Sequence, residues 1–266
     1  QLFLGRLWDS DSNHQDGRID DAFVCSDVLT ATDIANIYSD SAYLVTLYPT
    51  YDVTVMADSP LVYLKLDETS GTTANDVSGN GRNATIPSSN VNYSQAPMKS
   101  GLNNGIQLTS GVSQSINITY PSGGFLNNSS FSLEMWVNPS NWSNGNPLGI
   151  WDLTVGGNQE CILVRKGDSG AGDNYQVGVS ASGFASATSL YDPGSPTNGT
   201  VKHLVVTYDS GTGDMTLYVD AVNRGTASKA TGGFAFSGSG TLAALANGGP
   251  NSRITQGIVS NVAVYG

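Results

Sequence analysis

The chain has 266 residues, of which only 12% are charged and 39% hydrophobic, and it carries a formal net charge of −11. That balance excludes a nucleic-acid partner, whose phosphates need clustered Lys and Arg, and membrane insertion, since no apolar run approaches the roughly 18 residues of a spanning helix. The length suits one large β-sandwich or two small domains, and 32 glycines set among Ser, Thr and Asn favour short strands joined by turns.

From the start of the chain, Gln1 opens into a strand-like alternation. Gly17 to Cys25 lies without gaps over Gly257 to Tyr265 in its pattern of apolar positions, and Leu2 and Leu4 then fall on Leu242 and Ala244. Self-similarity of this kind marks tandem domains. Residues 1–26 are therefore expected to be the C-terminal strands of a preceding copy, 27–57 a helix and extended connector, and 58–266 a complete domain. Cys25 and Cys161, the two cysteines, fall in different copies, so a disulfide between them is not expected.

Thr30 begins a Thr-Xaa-Xaa-Asp cap, and Ile34, Ile37 and Tyr38 follow at helical spacing, which predicts one short helix over 31–39. Tyr43 to Met56 alternates aromatic and β-branched residues around Pro49 and reads as an extended connector. Leu61 to Leu66 is the opening strand, with Leu61, Tyr63 and Lys65 on one face and Val62, Leu64 and Leu66 on the other. In Phe131 to Val137 the face bearing Phe131, Leu133, Met135 and Val137 goes to the core, until Pro139 ends the run. Cys161 to Val164, Tyr175 to Val179 and His203 to Tyr208 continue the series. The last of these meets Met215 to Asp220 across a Gly-bearing loop, the signal of a hairpin. Strands at short intervals with no helices between them predict an all-β, antiparallel two-sheet sandwich or jelly roll.

Five segments taken in order carry a likeness: Tyr63 to Gly71, Asp76 to Gly81, Phe131 to Val137, His203 to Asp209 and Leu217 to Asp220. Together they resemble the laminin G-like, concanavalin A-like superfamily over residues 58–266, and Gly17 to Tyr38 resembles the closing strand and terminal helix of such domains. The resemblance implies a jelly roll of two curved antiparallel sheets. It also implies a module that binds glycans or neighbouring protein subunits, as in matrix proteins, adhesins and phage fibre or capsid proteins.

Chemistry has to be read from sites, since fold does not fix function. Glucan-hydrolysing relatives carry a Glu-Xaa-Asp-Xaa-Xaa-Glu strand, which is absent here. The chain has three Glu (Glu68, Glu134, Glu160), and glycosidic chemistry needs a facing pair of carboxylates. No enzymatic role is expected. The histidines, His14 and His203, form no triad or metal spacing and are expected to have no chemical role. Calcium is the candidate cofactor: the family holds an ion where opening turns meet the closing strand, and Asp67, Asp76 and Asn80 offer hard oxygens there. In the partial copy that closing strand carries Asp20 and Asp21, whereas the complete copy has Ser260 and Asn261, a weaker set.

A glycan site needs an exposed ring flanked by amides and carboxylates, and Trp142, Trp151, Tyr191 and Asn141, expected in loops, are the candidates. Trp136, in a strand, reads as structural. The sequence thus points to a non-catalytic adhesion or structural module on a cell or virion surface, in tandem array or as a homo-oligomer. The alternatives are a fibre or capsid-decoration repeat with no glycan, its Tyr43 to Met56 connector buried in a neighbour, and an accessory domain of a glycan-degrading enzyme.

Overall fold

The structure, a computed structural model, describes residues 30–39, 50–109, 115–140, 149–155, 159–166, 175–179, 188–191, 197–228, 234–236, 238–244 and 256–266. The chain divides into two units, Gln1–Tyr48 and Pro49–Gly266. In the first, helix α1 spans Ala31–Ser39. The N–H of Asp33 donates to Thr30 Oγ1 at 3.2 Å and the N–H of Thr30 donates to Asp33 Oδ2 at 2.9 Å, so the cap expected from the sequence starts the helix. The strands expected over 1–26 lie outside the described residues.

The second unit is a sandwich of two antiparallel sheets, as the alternation predicts. The front sheet runs β14 (Val222–Ser228), β13 (Asp214–Val219), β12 (Lys202–Tyr208), β7 (Phe131–Pro139), β16 (Gly257–Tyr265), β5 (Gly105–Leu108) and β4 (Val91–Gln95). Strand β1 (Val62–Leu64) also joins β16. The back sheet runs β11 (Thr188–Tyr191), β10 (Tyr175–Val179), β9 (Gln159–Lys166), β8 (Gly149–Val155), β15 (Gly240–Ala244), β6 (Ile116–Tyr120), β3 (Ala84–Thr85) and β2 (Thr73–Ala74). Period-two burial fills the space between them. Phe131, Leu133, Met135 and Val137 of β7 and Leu204, Val206 and Tyr208 of β12 are buried against Ile116, Ile118, Trp151 and Leu153 of the back sheet. The β12–β13 hairpin forms with Leu204 opposite Val219 and Tyr208 opposite Met215.

The connector departs from expectation. Residues 43–49 lie outside the described set, and Tyr51–Ala57 is helical (α2), not extended. Tyr51 and Val55 stand one turn apart and pack on the outer face of the front sheet with Tyr63, Ala263 and Tyr265. Helical spacing of these two anchors outweighs the β-branched content of the segment, because propensity over seven residues is weak beside packing. The outward side of α2 carries Val53 and Met56, 47% and 39% exposed.

A bulge in β16 decides which side chains reach that outer face. The register to β7 shifts between Ser260 and Ala263: Ser260 faces Trp136, and Ala263 faces Glu134. Asn261, at φ +51, takes up the extra residue. The phase therefore reverses along the strand. Val259 is buried in the core before the bulge and Val262 and Val264 after it, leaving Ala263 and Tyr265 to the outer side. The bulge falls where the edge neighbour of β16 changes, from β5 at Gly257 to Val259 to β1 at Val262 to Val264. At the head of β16, an added Cβ on Gly257, at φ +149, would stand 2.4 Å from the Asn138 carbonyl, so glycine is required by both conformation and space.

Candidate functional site

The outer face of the front sheet gathers side chains from four separate segments. His203 of β12 and Trp136 of β7 are direct cross-strand partners, and their rings stack with centroids 4.6 Å apart. Glu134, two residues back along β7, accepts a hydrogen bond from His203 Nε2 at 2.8 Å. The hydroxyl of Tyr265 donates to its other oxygen at 2.7 Å, and Tyr51 of α2 donates to the oxygen that His203 also uses. Tyr51 stands edge-on to both Trp136 and His203. The helix is thus fastened to the sheet through the same carboxylate that orients the histidine.

Burial opposes ionisation of Glu134, but the hydrogen bonds from His203, Tyr51 and Tyr265 outweigh it and hold the carboxyl below the ordinary glutamate range. The phenols move the other way: burial first, then Glu134, pushes Tyr51 and Tyr265 far above the usual tyrosine value. The linkage follows in sign. A lowered carboxyl contributes stability above its unfolded value, near pH 4.3, and loses it as pH falls through the lower folded value. The urea midpoint is expected to fall below about pH 4.3, and Glu134→Gln to flatten that decline. Identical pH slopes in the two proteins between pH 6 and 3 would show that Glu134 makes no such contribution.

Beside this cluster opens a cavity of about 500 Å³ lined by Met98, Lys99, Trp136, Val201, His203, Asp220 and Ala221. Trp136 is half-buried, and the exposed Lys99 ammonium lies 5.4 Å above its ring. Asp220 accepts from the His203 backbone N–H at 3.0 Å and pairs with Lys202 at 2.6 Å. Asp220 and Ala221 form the two-residue β13–β14 turn with φ of +53 and +63, which sets Ala221, a residue with a Cβ, in the left-handed region at the cavity wall.

A second polar cluster sits at the bulge. Asp52 of α2 accepts from Tyr63 OH at 2.5 Å and Asn103 Nδ2 at 2.6 Å and pairs with Lys65 at 2.7 Å. Asn261 Oδ1 accepts from Asn103 Nδ2 at 2.8 Å and lies 2.9 Å from Tyr63 OH, and its N–H donates to the Lys65 carbonyl at 3.0 Å. Ser260 and Asn261, both fully buried, therefore close the seam between β5 and β1.

The residues named from the sequence as calcium ligands do other work. Asp76 accepts from the backbone N–H groups of Tyr63, Ser78 and Arg82 at 2.8 to 3.0 Å, bonds that outweigh its burial and hold its carboxyl below the ordinary range. Asn80 Nδ2 donates to the Pro60 and Leu61 carbonyls. Asp67 is an exposed residue just after β1. These contacts staple the opening loop, and among the described residues no three His, Cys, Asp or Glu side chains converge on a metal position. The set does not fit a calcium site.

Of the glycan candidates, the structure describes the surroundings of one. Trp151 is not a loop residue but lies within β8, 1% exposed in the core, and cannot serve as a platform. Tyr191 ends strand β11, and its side chain is not among those described. Asn141 and Trp142 lie outside the described residues. The structure instead brings together Trp136, His203, Glu134 and Tyr51, none of which the sequence offers as a binding residue. The available signal was the polar face of β7, Ser132, Glu134, Trp136 and Asn138, where a half-buried Trp and Glu alternate with core residues.

The family model of the concanavalin A-like lectin/glucanases superfamily matches residues 103–266, and the chain belongs to that family. No match was found among the curated proteins. Among solved structures, the chain resembles domain 4 of AbnA, a GH43 extracellular arabinanase from Geobacillus stearothermophilus, in complex with arabinotriose. Identity is 16%, with 77% of this chain and 91% of that one covered and a TM-score of 0.57. The binding domain of Paraclostridial Mosquitocidal Protein 1 matches at 16% identity over 79% of this chain and 49% of that one, TM-score 0.56. Trypanosoma rangeli sialidase in complex with sialic acid matches at 16% identity over 77% of this chain, TM-score 0.53, but this chain spans only 30% of the sialidase. At such identities the likeness is one of fold.

Proposed function

We propose that the chain is a non-catalytic glycan-binding module that acts outside the cell or on a virion surface. The observation that carries this reading is the outer-face cavity, in which a half-buried indole is flanked by His203, Lys99 and Asp220. Sugar CH faces stack on such a ring while hydroxyls take fixed polar partners. The absence of catalysis is supported by Glu134, the carboxylate nearest the ring along β7. Its oxygens already accept three hydrogen bonds, and its carboxyl is held low, whereas a glycosidic acid needs a raised value and a second carboxylate. The arabinanase domain in complex with arabinotriose and the toxin binding domain accord with the reading.

A glycan array with the strongest hit followed by calorimetry tests it. Trp136→Ala is expected to weaken that hit about tenfold or more, the worth of an aromatic stack, with no large change in melting temperature, and EDTA is expected to have no effect. An empty array, or a Trp136→Ala protein that binds as well as wild type, would sink this reading. Light scattering would then show whether Val53 and Met56 of α2 join a neighbouring subunit instead.

A further inference from the structure

The acids around the cavity already have their partners. Asp220 is paired with Lys202, and Glu134 is engaged by His203, Tyr51 and Tyr265. Lys99 differs. Its ammonium lies over the Trp136 ring, and among the described residues no carboxylate stands within ion-pair distance of it. In a chain of net charge −11, this cavity keeps a cation with no counterion among the described residues, placed on the very ring that a sugar would cover.

We infer that the cavity selects anionic saccharides, sugars bearing a carboxylate or sulfate, with Lys99 as the charge-reading residue. The inference rests on the glycan-binding reading above and deepens it. A neutral sugar stacking on Trp136 must displace the ammonium and offers it nothing in exchange. An anionic sugar displaces it equally but then pairs with it, so the same movement becomes a gain. An exposed ammonium over an indole is held weakly, which leaves the Lys99 side chain free to swing. Lysine suits the task, as a compact charge on a flexible stem that pairs from several directions, where the planar arginine fork would demand one geometry. The negative charge of the rest of the protein opposes anions only at long range, and salt screens it beyond about 8 Å at physiological ionic strength.

The test is an array printed with neutral, uronate-bearing and sulfated glycans, probed with the full chain and with Lys99→Met and Lys99→Arg, each variant's melting temperature being recorded. Hits are expected among the anionic glycans. Lys99→Met is expected to weaken them roughly fivefold, the range of a partly exposed ion pair, and Lys99→Arg to recover part of the loss. The charged class with the stronger hits identifies the group that Lys99 reads. Equal binding of neutral glycans, or anionic hits that Lys99→Met leaves unchanged, would overturn the inference. If those hits still vanish in Trp136→Ala, the parent reading survives, whereas an array without hits overturns both.

Discussion

Trp151→Ala is expected to lower the unfolding free energy in urea by about 3–5 kcal/mol, the cost of emptying a large aromatic site in a close-packed core. The ring is 1% exposed on β8, opposite Ala244 of β15 and Val164 of β9, and it belongs to the main core cluster. Its indole N–H finds no acceptor among the described residues. Trp151→Phe should therefore be far milder, below about 1.5 kcal/mol, because it keeps most of the buried volume and removes an unsatisfied donor. Neither change should touch glycan binding. The contrast with Trp136→Ala is diagnostic: on the proposed reading, Trp151→Ala lowers stability and leaves the ligand bound, and Trp136→Ala does the reverse. A Trp151→Ala protein within about 1 kcal/mol of wild type would mean that the ring is not part of the core.

The two tryptophans also show what could be read in advance. Trp136 was placed correctly on the outer face of β7, because Phe131 to Val137 alternates without interruption and strand period fixes the face. Its role was not legible. His203 is distant in sequence and becomes its neighbour only through the β7–β12 register, and Tyr51 arrives on a helix whose β-branched residues imitate a strand. Glu134 has no visible partner in the sequence because His203, Tyr51 and Tyr265 come from three other segments. Trp151 failed in the opposite sense. A Gly and Asn-rich stretch before it reads as loop, yet Gly149–Val155 is a central strand of the back sheet whose apolar residues Trp151, Leu153 and Val155 already keep period two. Asp76, named as a calcium ligand, accepts backbone N–H groups of its own loop, a role that no spacing in the sequence distinguishes from metal ligation.

The bulge at Asn261 was not legible, because Ile258, Val262 and Val264 already fit a uniform strand; only the burial of Val259 together with Val262 and Val264 reveals the break of phase. Asn261→Ala is expected to cost about 2–4 kcal/mol, combining a left-handed residue that gains nothing from its side chain with the loss of the Oδ1 acceptor that Asn103 uses. Asn261→Gly separates the two contributions. Glycine adopts positive φ freely, so this variant should lose only the hydrogen-bond part and lie about 1 kcal/mol above the alanine variant. Equal losses in both would show that backbone strain plays no part, and wild-type stability in both would remove the polar seam from the account. Because the bulge also turns Ala263 and Tyr265 outward to meet Val55 and Glu134, its loss should loosen α2 and the aromatic cluster together, an effect readable as a weakened near-ultraviolet circular dichroism signal before global unfolding begins.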